Sequence, residues 1–328
     1  MRCISRAKSA ALVCVASISL FTGGCIGGKG ATPVTAYELK NYNQDLYQGK
    51  LYAEELCVAQ NDVALEGYTE DTELHSAALF DLTGERVLYS YKAHERLYPA
   101  STTKIMTALL AIENANLDDQ VTISGNADAS SFPADAQVCG LAKGEVWTLR
   151  DLLGALLLYS GNDAATAIAE YVGGSEEAFV NMMNRRAQEL MANGTHFMNP
   201  HGLHGDNHYT TAYDLYLIFN ECIKHEDFVN IIQSEAYTAY YTDVDGNSQE
   251  ALFTPTNLYA QGEVDVPENV TIVGGKTGTT DEAGYCLILM EKDSSDNPYI
   301  SIVMGASEKP VLYEDMTSLI EAIPSGQQ

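Results

Sequence analysis

Basic residues are scarce in this sequence. Its 328 residues include 18 Lys and Arg against 45 Asp and Glu, a formal net charge of -27. So acidic a chain will not bind nucleic acid or an anionic membrane surface by electrostatic attraction. An apolar run long enough to cross a bilayer is also lacking. The best stretch, residues 9–21, gives about a dozen residues where about twenty are needed. Internal repeats and long low-complexity segments are absent, and the seven cysteines fit no zinc framework. Cys57, Cys139, Cys222 and Cys286 allow two disulfides in three connectivities. Cys286, inside Tyr285-Cys286-Leu287-Ile288-Leu289, instead reads as a small buried residue. No disulfide, metal or cofactor is expected to be required.

Three short motifs follow one another in fixed order: Ser101-Thr102-Thr103-Lys104, Ser160-Gly161-Asn162 and Lys276-Thr277-Gly278. Ser-x-x-Lys alone arises about once by chance in a chain of this length, so the information lies in the set and its context. Ser101 opens the apolar run 105–112, which predicts a buried helix with Ser101 and Lys104 on one face. A serine hydroxyl becomes a nucleophile when a base takes its proton. A lysine can be that base once burial or a second cation lowers its pKa. Lys276 could supply the second cation. Ser160-Gly161-Asn162 lies between two helical patterns, where a polar tripeptide serves as cap and turn. There the Ser160 hydroxyl can also relay a proton, and the Asn162 amide can hold a peptide. Lys276-Thr277-Gly278 follows Val270-Thr271-Ile272-Val273-Gly274-Gly275, which reads as an edge strand whose glycines admit another backbone.

The chain resembles the serine-type D-alanyl-D-alanine carboxypeptidases, the low-molecular-mass penicillin-binding proteins of peptidase family S11. The resemblance runs from about His75 to about Ile323. It rests on Tyr98-Pro99-Ala100-Ser101-Thr102-Thr103-Lys104, on Tyr159-Ser160-Gly161-Asn162-Asp163-Ala164-Ala165 and on Thr195-His196-Phe197-Met198-Asn199-Pro200-His201-Gly202. Gly275-Lys276-Thr277-Gly278-Thr279-Thr280 completes it. The resemblance implies an α/β fold of the β-lactamase/transpeptidase type, a mostly antiparallel sheet covered by helices beside an all-helical subdomain. It also implies roles. Ser101 would attack the penultimate D-alanine carbonyl of a peptidoglycan stem peptide ending in D-Ala-D-Ala, with Lys104 as base. Ser160 would return the proton to the leaving amine, and Asn162 would orient the chain. Lys276, Thr277, Gly278 and Thr279 would form the third-motif binding edge, with Lys276, Thr277 and Thr279 on the terminal carboxylate. The backbone N–H groups of Ser101 and Thr279 would form the oxyanion hole. β-Lactam antibiotics would acylate Ser101 and leave slowly. One departure is the stretch Phe253-Thr254-Pro255-Thr256-Asn257-Leu258, which lacks an arginine that several members use on the carboxylate.

The N-terminus carries Arg2, Arg6 and Lys8, then residues 9–21, then Thr22-Gly23-Gly24-Cys25. This predicts a signal peptide over 1–25 whose end resembles a lipoprotein cleavage box, with Thr22 where a leucine is usual. Cys25 would carry a lipid, the one membrane attachment expected; ordinary cleavage would give a secreted enzyme. Residues 26–68 read as tether and loosely packed lead-in, 69–324 as the catalytic domain and 325–328 as a tail. Many relatives continue past the last predicted helix, 312–323, into a β-rich domain and an amphipathic membrane helix. Strands are expected at 74–80, 86–91, 272–275, 285–290 and 299–304, and a helical block at 149–193.

Four rival readings share parts of this pattern. A D,D-endopeptidase would use the same residues on cross-linked peptidoglycan. A class A β-lactamase would need a water-activating Glu-x-x-x-Asn, which Glu189 to Asn193 matches, although the run around it reads as a surface helix. A zinc D,D-peptidase would use His196, His201, His204, Asp206 and His208, whose spacing fits no standard zinc helix. A non-catalytic wall-binding or penicillin-sensing module would have no need of Ser101 and Lys104, and a sensor would need a membrane-spanning helix.

Overall fold

The computed structural model describes residues 55–65 and 76–324. The expected signal peptide, Cys25 and most of the tether lie outside the described residues, as do residues 325–328. Among the described residues are nine strands: β1 (Ser76–Asp81), β2 (Arg86–Tyr91), β3 (Gln120–Thr122), β4 (Val146–Thr148), β5 (Tyr237–Thr242), β6 (Ser248–Phe253), β7 (Val270–Thr280), β8 (Gly284–Asp293) and β9 (Pro298–Ala306). The helices are α1 (Lys104–Asn114), α2 (Leu149–Gly154), α3 (Asn162–Gly173), α4 (Glu176–Glu189), α5 (Ala212–Cys222), α6 (Glu226–Ile232), α7 (Leu258–Gln261) and α8 (Lys309–Glu321).

The main sheet has the order β2-β1-β9-β8-β7, antiparallel throughout. Its strands bury both faces. Ala78, Phe80, Ile288, Met290, Ile300 and Ile302 join the larger core with α1, while Leu79, Leu287, Leu289 and Val303 pack under Leu312, Met316, Leu319 and Ile320 of α8. Alternate residues of one strand therefore feed two cores, which is why β8 and β9 read as continuous apolar runs. One edge strand is β7. It runs eleven residues, well past the expected 272–275, because its pairing with β8 continues through the whole third motif.

Lys104 to Ala111 of α1 are all buried, as befits a helix apolar on every side. It packs against helices α3 and α5, and α5 in turn contacts β1 and β9 of the sheet. The helical block 149–193 is interrupted at the second motif. After α2 comes one π turn, Ala155–Tyr159, then a left-handed Ser160 (φ 71°), and α3 begins at Asn162.

The subdomain beside the sheet is not all helical. A second antiparallel sheet, β3-β4-β5-β6, flanks its helices, and Trp147 of β4 stacks on Tyr241 of β5 at 4.2 Å. β3 and β4 are three residues each, too short to show a strand period. The β5–β6 hairpin did carry a signal: Asp245-Gly246 between two Tyr/Thr/Phe-containing segments. Residues 55–65 also depart from the loose lead-in expected of them. Val63 exchanges backbone hydrogen bonds with Ser90, and the N–H of buried Cys57 donates to Tyr216 Oη at 2.9 Å.

Candidate active site

Ser101 sits in a 3₁₀ turn, Ala100–Thr103, that runs straight into α1. The turn starts from Ala100 in the left-handed region (φ 47°), a conformation that costs a non-glycine residue about 1–3 kcal/mol. Neighbouring groups hold it there. Thr102 Oγ1 donates to the Pro99 carbonyl at 2.7 Å. Gly202 (φ 91°) packs its bare α-carbon against the Ala100 carbonyl, where any Cβ would collide. The strained turn places Ser101 at the cleft, half-buried, with α1 behind it.

Lys104 is wholly buried, yet its Nζ is surrounded by acceptors: Ser101 Oγ at 2.9 Å, Asn162 Oδ1 at 2.7 Å and the His201 carbonyl at 2.6 Å. Burial, and then the charge of Lys276, push its pKa well below the ordinary lysine value. A neutral amine in this cage donates to Asn162 and His201 and turns its lone pair to the Ser101 hydroxyl. That is the arrangement a general base needs.

Lys276, also buried, donates to Ser160 Oγ at 2.8 Å and to the Thr277 carbonyl at 2.9 Å. Desolvation lowers its pKa to about 7. Ser160 is thus held by Lys276, while its neighbour Asn162 is held by Lys104, and the left-handed backbone that ends the π turn sets the Ser160 conformation. Gly278 explains how β7 comes so near. A Cβ there would lie 3.0 Å from Pro99 O and Ser101 N and 3.1 Å from Thr102 N. The glycine lets the edge strand press against the nucleophile turn, so that Ser101 and Thr279 face one space.

That space is a cleft of about 860 Å³, lined by Ser101, Ser160, Asn162, Thr277, Gly278 and Thr279 among others. Thr256 lines it too, its hydroxyl 2.6 Å from Thr277 Oγ1. Lys104 and Lys276 stand behind this lining. All eight motif residues expected at the site are thus brought together; Cys25 lies outside the described residues.

A family model described as D-alanyl-D-alanine carboxypeptidase (peptidase S11) matches residues 64–308. The chain belongs to that family. It is 34% identical over 254 residues to the D-alanyl-D-alanine carboxypeptidase DacF of Bacillus subtilis, covering 76% of this chain and 61% of that protein. It is 31% identical over 249 residues to DacC of Escherichia coli, covering 74% and 59%. The match therefore spans about three fifths of these relatives' length. Among solved structures, the Streptomyces K15 DD-transpeptidase superposes with a TM-score of 0.71 at 28% identity, covering 78% of this chain and 98% of that one. The β-lactamase/transpeptidase-like α/β fold follows from that likeness.

The rival patterns do not assemble in this family member. Glu189 is the exposed last residue of α4, 3.5 Å from Arg186, and does not line the cleft. The helix stops there and Met191, rather than Asn193-Gly194, takes the left-handed conformation (φ 61°). The histidines serve separate purposes. His208 accepts from the Met198 N–H through Nδ1 (3.1 Å), which leaves Nε2–H to donate to Thr103 Oγ1 (2.7 Å). His201 Nδ1 accepts from the Leu203 N–H (3.2 Å). Burial lowers their pKa values to about 4 and about 3, so both are neutral supports of the nucleophile region. His196 pairs with the Asn207 carbonyl, and His204 lies between Asp206 and Glu282.

Sequence reasoning passed over several site residues. The His201 carbonyl, which touches Lys104, is a backbone group with no side-chain signature. Its segment is shaped by Asn199, whose side chain accepts from the N–H groups of His201 and Gly202 and donates to the Leu203 carbonyl. Thr256 was visible only as the place where an arginine is missing.

Proposed function

We propose that the protein is a serine D-alanyl-D-alanine carboxypeptidase that trims peptidoglycan stem peptides through a Ser101 acyl-enzyme. The observation that carries this reading is the 2.9 Å contact between Ser101 Oγ and a buried, desolvated Lys104 Nζ. In the first half-reaction Lys104 takes the Ser101 proton as Oγ attacks the penultimate carbonyl. The N–H groups of Ser101 and Thr279 receive the oxyanion. Lys276 and the hydroxyls of Thr256, Thr277 and Thr279 hold the terminal carboxylate. A proton passes through Ser160 to the leaving amine, and D-alanine departs. Water, activated by the same lysine, then hydrolyses the ester. Asn162 orients both Lys104 and the peptide. β-Lactams, carrying a carboxylate beside a reactive amide, enter the same path and acylate Ser101. Such a substrate lies outside the cytoplasm, which agrees with the signal-like N-terminus and the lipobox-like stretch that ends at Cys25.

The test is D-alanine release from diacetyl-Lys-D-Ala-D-Ala by the purified protein, with Ser101→Ala alongside. Release by the parent and none by the variant is expected. No release by the parent, with release from cross-linked peptidoglycan fragments, would replace this reading with an endopeptidase. For the anchor, the mass of detergent-extracted protein should correspond to a lipid-modified chain beginning at Cys25; an unmodified N-terminus elsewhere refutes it.

A further inference from the structure

One wall of the cleft has no frame of its own. Pro133, Asp135, Ala136 and Gln137 line it, and all lie in the excursion between β3 and β4, whose one regular element is a three-residue 3₁₀ turn, Ala129–Ser131. Pro133, Asp135 and Gln137 are exposed, so no apolar core beneath them fixes their place. Besides Phe132, edge-on to His201, a buried carboxyl group holds the wall. Asp163, fully buried at the start of α3, accepts from the backbone N–H of Cys139 (2.9 Å, Oδ1), Gly140 (2.9 Å, Oδ2) and Leu141 (3.1 Å, Oδ2), and from the N–H of Ala164. No cation lies within ion-pair distance of it among the described residues, although Lys104 is near enough to feel its charge. Three consecutive amides of the loop do the solvating instead.

Two further ties run to the same place. The Asn162 N–H donates to the Gln137 carbonyl at 2.8 Å, and Gln137 Nε2 donates to the Tyr159 carbonyl at 3.2 Å. Gly161 leaves the room this closure requires, because a Cβ there would overlap Cys139 Sγ. The second motif thus does two jobs. Ser160 and Asn162 face the lysines, while Gly161 and Asp163 grip the loop on the other side.

We infer that Asp163 is a positioning residue for substrate: through Cys139–Leu141 it sets Gln137 and the cleft wall against the bound peptide, without touching the reacting atoms. This rests on the proposed carboxypeptidase reading. The wall contacts the body of the substrate and not the scissile bond, so its loss should raise KM and spare kcat. A small penicillin that fills only the space between Ser101 and Thr279 should be indifferent to it.

The experiment uses the full protein with Asp163→Asn, which keeps shape and removes charge, and Gln137→Ala, an exposed change that leaves the buried anchor intact. KM and kcat are measured on diacetyl-Lys-D-Ala-D-Ala, and the acylation rate on benzylpenicillin. For both variants, KM about 10-fold higher, kcat within about 3-fold and penicillin acylation within about 3-fold are expected. Parallel loss of kcat and of penicillin acylation in a folded Asp163→Asn would make Asp163 part of the lysine machinery and overturn the inference. So would unchanged KM in Gln137→Ala, even if Asp163→Asn fails to fold. Parent protein inactive on the peptide yet acylated by penicillin would count against the carboxypeptidase reading instead.

Discussion

Two lysines set the pH behaviour at the level of single residues. In the proposed mechanism Lys104 works only when neutral, and burial, then the charge of Lys276, favours that form by holding its pKa well below the ordinary lysine value. In the same proposal Lys276 draws the carboxylate only when charged, and its pKa falls to about 7. The expected kcat/KM profile is a bell, its acid limb from protonation of Lys104 and its alkaline limb, near pH 7, from loss of the Lys276 proton. A rate that rises steadily from pH 6 to pH 9 would contradict this assignment. Replacing Lys104 by Met should cut acylation by penicillin at least about 10³-fold without unfolding the protein, as loss of the base to an activated nucleophile does. Glu291 gives a stability counterpart. It is wholly buried on β8, and burial pushes its pKa well above the ordinary glutamate value against the opposing pull of the neighbouring Ser301. The folded state then holds a proton that the unfolded state releases above pH 4.5, so this group takes stability away as pH rises through that window. Glu291→Gln should flatten the decline of melting temperature between pH 5 and pH 8; an unaltered decline would locate its cause elsewhere.

Secondary-structure elements position the site through close backbone approaches. The nucleophile turn is clasped by β7 at Gly278 and by the 199–203 segment at Gly202, and neither contact leaves room for a methyl group at ordinary distance. Gly278→Ala should push β7 outward by a few tenths of an ångström, separating the Thr279 N–H from Ser101. A loss of about 10²-fold in acylation rate with a near-native melting temperature is the expected result, since misplacement on that scale is costly to catalysis. Equal acylation of parent and variant would show that β7 does not supply the oxyanion donor. Element type was largely legible in the chain: the apolar run behind Ser101, the late strands and the final helix all follow from period and composition. The π turn was not. Its five residues, Ala155-Leu156-Leu157-Leu158-Tyr159, have the composition of any buried helix, and the widening arises where α2 must end in a left-handed Ser160.

For the molecule as a whole, charge and thiols dominate. A formal charge of -27 opposes compaction, so added salt should raise the melting temperature through screening. Cys57, Cys139, Cys222 and Cys286 are free and, apart from the half-exposed Cys139, buried in separate places. Burial raises their pKa values. Native protein should therefore react slowly with a thiol reagent, all four reacting on unfolding, and reductant should leave the melting temperature unchanged. A fall in melting temperature on reduction would reveal a disulfide.

Local chemistry written in the chain determined which residues could act: a hydroxyl three places from an amine, an amide after Ser-Gly, a lysine between glycines on a strand. Such patterns are readable because helix and strand geometry act over a few residues. Folding decided what those groups become. Lys104 and Lys276 are 172 positions apart, and only folding buries each of them and brings the charge of Lys276 to bear on Lys104. The His201 carbonyl on Lys104, the Thr256 hydroxyl on Thr277 and the grip of Asp163 on the Cys139–Leu141 amides likewise depend on long-range packing. No sequence window contains both partners, because desolvation and proximity are properties of the folded interior.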